Sequence, residues 1–386
     1  MSELINKNNN QSDFRWQLLT TVSALAICGA LLAGDAAHAA DKDRPTVWIE
    51  LGGQLERVQS NADVFLPPFQ QSEPRPDFEE IPSASTQRPP RYAFGGEAKV
   101  IFSPSSSDWS FLAGVRFGRS NGSKHLHQQT TAHKQTGVTK YGAPFYAAQT
   151  RFGDTAAANS ESHTIIDFMA GRDVGLGFGR NATASFGFGV RIAQFSSKSG
   201  ATLREAPDPY IVRIPQPPNP LFPNNHKYIT NTHHHTFYAQ DSIWRSFSGI
   251  GPSISLTGSQ PLIGSTEGTE VAFDWGANAA VLFGRQRVRG SHKTNGAYFT
   301  NHFSSFNYHP KTTYSTSAPV GRSRTVIVPN VGGFAGLSLH RKNARVSLGY
   351  RADFFLGAVD GGIDARHNET LGFHGPFATI SLGLGG

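Results

Sequence analysis

The 386-residue chain holds one cysteine, Cys28, and beyond residue 32 it has no apolar run long enough for a membrane helix. A lone cysteine makes no intrachain disulfide, Fe–S cluster or zinc-thiolate centre. Without segments of about 20 apolar residues the chain cannot form an inner-membrane helical bundle. Charge is also sparse: 16% of residues are charged and the mean hydropathy is −0.34. No basic helix or nucleic-acid motif is present, so nucleic acid is not an expected partner. A G-x-S-x-G elbow is absent too, and His163, His340 and His374 stand singly, so the chain reads as a non-enzyme. The run His233, His234 and His235 alternates faces in an extended chain with no carboxylate close by in sequence, so neither a metal nor any other cofactor is expected.

Residues 1–39 have the form of a secretion signal. Lys7 and Arg15 supply the positive region, Leu18 to Leu32 the apolar core, and Ala37, His38 and Ala39 a small-x-small cleavage site. Cys28 lies inside this leader, and the bulky Ile27 before it disfavours a lipoprotein site. Removing the leader's two basic and three acidic residues raises the net charge from +7 to +8. Such a surface favours anionic partners, lipopolysaccharide phosphates among them.

Residues 40–386 form one domain built on alternation. From Trp109 to Phe117 one parity reads Trp, Phe, Ala, Val, Phe and the other Ser, Leu, Gly, Arg. Successive side chains of a strand point oppositely, so this pattern fits a strand with lipid on one face and a polar interior on the other. Similar patterns at 47–58, 92–102, 162–172, 182–196, 232–244, 249–260, 269–284, 326–341, 344–357 and 373–385 bring the visible strands to eleven. Bacterial single-chain barrels have even counts and short periplasmic turns. With a tight turn at Arg341 to Asn343, those rules call for one more rising strand, near 286–300. The expectation is an all-β, antiparallel transmembrane barrel of about twelve strands. Its long extracellular loops would be 60–91 and 197–230, with seven prolines each, and 120–161 and 301–325.

With the apolar parity toward lipid, Glu50, Gln54, Glu56, Glu97, Lys99, Arg116, Asp167, Arg191, Asp274, Asn278, Arg345, Arg351 and Asp353 line the interior. Opposed charges on facing walls make a hydrated constriction that sorts small hydrophilic solutes by size and charge, or else pair and fill a narrow lumen.

Two stretches, Phe247 to Leu256 running on through 271–284, and Gly349 to Asp353 with His374 to Phe377, resemble the Legionella-type major outer membrane protein family. The resemblance covers residues 247–386. It implies an outer-membrane barrel with porin-like activity and, in some members, exposed loops that contact host cells. The chain departs from the family in having no cysteine after the leader. It departs from outer-membrane barrels generally in ending Leu384, Gly385, Gly386, where the assembly machinery commonly reads an aromatic residue. Porin-like passage is thus the first functional expectation, with lipid, lipopolysaccharide, the barrel assembly machinery and solutes as partners. Surface display or adhesion by a plugged barrel is the alternative.

Overall fold

A computed structural model describes residues 46–60, 92–104, 107–138, 144–174, 183–207, 210–215, 228–264, 268–302, 308–316, 319–341, 343–362 and 365–384. The leader and the proline-rich segment 61–91 lie outside the described residues. Every described element is a strand: β1 Val47–Ser60, β2 Tyr92–Phe102, β3 Trp109–Val138, β4 Pro144–Asp173, β5 Thr183–Pro207, β6 Tyr210–Pro215, β7 Tyr228–Gly264, β8 Thr269–His302, β9 Tyr308–Thr316, β10 Val320–Arg341, β11 Ala344–Asp360 and β12 Asn368–Leu384.

All pairings are antiparallel, and the sheet closes on itself through β1–β12 and β7–β8. Closure leaves the wall without an edge, as a strand surrounded by lipid requires. The wall has ten strands rather than twelve. The segments 232–244 and 249–260 are one strand, β7, and 269–284 and 286–300 are one strand, β8. β6 carries β5 onward along β7 (Glu205 opposite Phe237, then Tyr210 opposite His233). β9 likewise continues the line of β10 along β8, with Thr316 opposite Lys293 and Val320 opposite Gly290. Merging β7 restores the even count with no additional strand, and the 341–344 turn falls at the same end as both ends of the wall, Val47 and Leu384.

The outward parity is apolar on all ten wall strands. Phe94 is 84% exposed, Phe186, Phe188 and Val190 are 40–50% exposed, and Leu51, Phe168, Ile254, Leu337, Leu348 and Ile380 are exposed as well. On β8 this band runs the eleven residues from Phe273 to Phe283, the length at which a tilted strand spans a hydrocarbon core. In water such a surface would drive aggregation, so its presence argues for lipid.

Beyond the band the wall continues on one side only. Fully extended, the 37 residues of β7 reach roughly 125 Å, several times the height of the band. β3, β4, β5, β7 and β8 all project past it, whereas β1, β2, β11 and β12 stop close to its edge. Most of the expected loop at 120–161 is therefore paired strand, as are 197–205 and 210–215 of the expected loop at 197–230 and 308–316 and 320–325 of that at 301–325. Outside lipid the outward face meets water and turns polar, so the apolar alternation fades while the backbone ladder goes on, although the inner face stays buried with Ile243 packed on Val288.

Candidate functional site: the filled lumen

The ten-strand wall is narrow enough for side chains from opposite sides to meet, since barrel diameter grows with strand number. Its interior is stacked in levels. At the end with the tight turns a vestibule of about 290 Å³ is lined by Glu50, Lys99, Asp274, Arg345, Ser185 and Thr257, among others. Lys99 Nζ donates to Glu50 at 2.6 Å, and the Ser381 hydroxyl donates to the same carboxylate at 3.1 Å. Asp274 accepts from Ser259 at 2.7 Å and pairs with Arg345.

Above the vestibule lies a layer of interlocked charges. Arg351 grips Glu97 at 2.6 and 3.3 Å, with its guanidinium carbon 4.6 Å from the centre of the Phe377 ring. Gln54 donates to the carbonyls of Arg351 and Gly375. Arg116 on β3 reaches Asp353 on β11 at 2.5 Å and lies 4.0 Å from Asp167. Arg191 on β5 makes a forked pair with Asp167 at 2.6 and 3.1 Å, donates to Asn278 at 2.6 Å and to Asn330, and lies 4.0 Å from Asp353. Glu56 faces His163 at 3.3 Å.

All thirteen residues expected in the interior are there; twelve meet a side-chain partner, and Gln54 donates to backbone carbonyls. Asn330 and His163 are the members that sequence reading missed. Asn330 follows Pro329 in a β-branched run, and His163 is followed on its own parity of β4 by the apolar Ile165. Neither carries a local motif.

Glycine makes room for this layer. A Cβ on Gly118 would collide with the His163 ring and come within 2.7 Å of the Glu56 carboxylate. Gly118→Val should therefore lower barrel stability by about 1–3 kcal/mol. The check is the temperature at which the folded band converts to the unfolded one on a gel; an unchanged temperature would mean that the pocket around His163 is loose.

The next level overturns the expectation of a wholly polar interior. Phe195, Phe247, Phe355 and Phe373, with Ile165, Leu282, Val328, Val58 and Leu371, form one apolar cluster drawn from eight of the ten wall strands. Phe195 on β5 and Phe373 on β12 stand five places apart round the wall in either direction, yet their ring centres are 5.7 Å apart. Phe355 lies 4.5 Å from Phe195, and Phe247 5.7 Å from it. Phe355 is 0% and Phe247 1% exposed, so water is excluded across the diameter at this height.

No protein-family model matches the chain, and no curated protein matches it. Among solved structures, the transport unit of the autotransporter AIDA-I from Escherichia coli shares 10% identity over 94% of this chain and 98% of its own, at a TM-score of 0.25. A monoaromatic hydrocarbon channel, the TodX ΔS2S3 mutant, shares 10% over 89% and 91% at 0.18. A bacterial polysaccharide outer membrane secretin shares 8% over 88% and 99% at 0.17. The closed barrel is established by the wall's own pairing, independently of these likenesses.

Above the aromatic level the end of β11 turns inward. The register shifts between Phe355 and Val359, and Gly357 adopts a φ of 68°, which glycine takes without a steric penalty. The turned segment is held from one side, by the neighbouring β10 and the β8 and β7 beyond it. Arg245 donates to the carbonyls of Asp360 and Gly361 at 2.9 and 3.0 Å, Gln286 to that of Gly357 at 2.7 Å, and Arg322 to that of Gly362 at 2.7 Å. This segment forms a second, polar cover over the apolar cluster.

Proposed function

We propose that the protein is a non-catalytic outer-membrane barrel that anchors a tall surface-exposed β-wall while keeping its own lumen shut. The carrying observation is the aromatic cluster, in which side chains from opposite walls touch and exclude water. The apolar band supports placement in a bilayer. Tight connections at one end and long projecting strands at the other support an orientation with the β-wall outside, as in bacterial barrels. A filled barrel conducts nothing and is a stiff base, and the projecting strands supply a large polar surface for contact with a host or another partner.

Passage of small hydrophilic solutes is a second reading, favoured by the vestibule and the charged layer above it. It requires the aromatic level to part.

Orientation is testable because the chain after the leader has no cysteine of its own. Ser123→Cys, on the exposed projecting part of β3, should react with a membrane-impermeant maleimide on intact cells. Ser107→Cys, in the tight connection before β3, should react only after permeabilisation. The reverse pattern would overturn the orientation, and failure of the protein to fractionate with the outer membrane would overturn the location.

A further inference from the structure

Just above the apolar band on the projecting side, three arginines stand in a column on the outward face of β8: Arg285, Arg287 and Arg289, all exposed. Cross-strand register fixes their neighbours. The lowest row is apolar, with Ile250, Phe283 and Ile327 side by side on β7, β8 and β10, each more than half exposed. The row above reads Ser248, Arg285, Thr325; the next Ser246, Arg287, Ser323; the top one Trp244, Arg289, Gly321. Arg285 Nε donates to the Ser323 hydroxyl at 2.7 Å, and the Arg289 guanidinium lies 6.0 Å from the centre of the Trp244 ring. No carboxylate stands on these rows, and among the described residues none of the three arginines makes an ion pair. At the opposite rim Arg172 is paired with Asp108 at 3.2 Å. Three like charges about 7 Å apart repel one another and gain from an anion that bridges them.

We infer that Arg285, Arg287 and Arg289 form a binding site for the phosphates of an outer-leaflet phosphorylated lipid, with its acyl chains lying on Ile250, Phe283 and Ile327. The occupant is an amphiphile because the cations sit directly on the apolar rows, at headgroup height, with an indole beside them where amphipathic rings collect. Guanidinium forks with adjacent hydroxyls match phosphate oxygens in pairs. The inference rests on the outer-membrane reading and turns its diffuse positive charge into one localised site.

The test uses the full chain, folded in detergent, and measures binding of lipid A in bisphosphorylated and dephosphorylated forms. The triple variant R285Q/R287Q/R289Q should bind bisphosphorylated lipid A about a hundredfold more weakly, a factor of roughly five per arginine. Dephosphorylated lipid A should bind the native protein as weakly as the phosphorylated lipid binds the variant. All three side chains are exposed, so the variant should keep the native gel shift on heating, which serves as the folding control.

Arg57, Arg119 and Arg204 are exposed on β1, β3 and β5, away from these rows, and serve as the charge-matched control. Equal loss on neutralising those three would show a diffuse charge effect and overturn the site. So would equal binding of both lipids, or full competition by millimolar inorganic phosphate, which would identify a free-anion site. If the protein fractionates with the outer membrane but the triple variant binds normally, this inference alone fails. If the lipid binds in vitro but the protein lies elsewhere in the cell, the location fails.

Discussion

Reconstituted in planar bilayers, the native barrel should give no discrete conductance steps, and the double variant Phe247→Ala/Phe355→Ala should create them. The two rings pack beside Phe195 from β7 and β11 and close the diameter with Phe373. Truncation removes two of the four rings at this level and opens space beside the remaining Phe195–Phe373 contact while leaving the backbone ladder intact. Each truncation costs about 3–5 kcal/mol in a packed core, yet the wall retains its pairing on all sides, so the folded gel band should survive and report that the variant is closed in the sheet. Water then reaches the charged layer, where Arg116 and Arg191 face Asp167 and Asp353, and the pore should favour small ions. Steps in the native protein would make the cluster a gate and restore the channel reading. Silence in the folded double variant would place the barrier in the β11 turn held by Arg245, Gln286 and Arg322.

Where the environment changes sharply from one face to the other, the sequence is readable. In the band, lipid outside and charge inside force strict alternation, and every residue from Phe186 to Val190 and from Phe273 to Phe283 takes the face its parity assigns. The same rule placed all thirteen polar residues inside. Three things were not legible. Continuity of β7 through Arg245 to Ser248 was hidden because Ser246, Ser248 and the following Gly249 imitate a turn; in the wall these residues pair without a break with Ser197 to Gln194 on β5. The projecting strands were hidden because beyond the lipid their outward face turns polar, which removes the apolar row that marks a strand in sequence although the inner face stays buried. The aromatic cluster was hidden because Phe195, Phe247, Phe355 and Phe373 lie on the polar parity of their strands, and only packing across the diameter shows that they belong together.

Replacing Arg191 by methionine should cost about 3–5 kcal/mol of stability, the largest effect expected of any single charge in the interior. Its side chain is almost wholly buried and serves four partners from three other strands besides its own neighbour: Asp167, Asn278, Asn330 and, at 4.0 Å, Asp353. Removing the cation leaves two carboxylates sharing the single guanidinium of Arg116, in a layer that the rings above cut off from water on that side. Lys99→Met at the vestibule breaks a pair with Glu50 that solvent partly reaches, and should cost about 1 kcal/mol or less. Denaturant titration of the detergent-folded proteins compares the two, and an Arg191 variant no weaker than the Lys99 variant would refute the shielding of this layer. The double variant Arg191→Met/Asp167→Asn decides what the charges are for. Substituting one neutral partner for each member of a buried pair often recovers stability, so a double variant more stable than Arg191→Met but with altered strand register would show that the pair selects the alignment of β4 on β5 rather than supplying the barrel's cohesion.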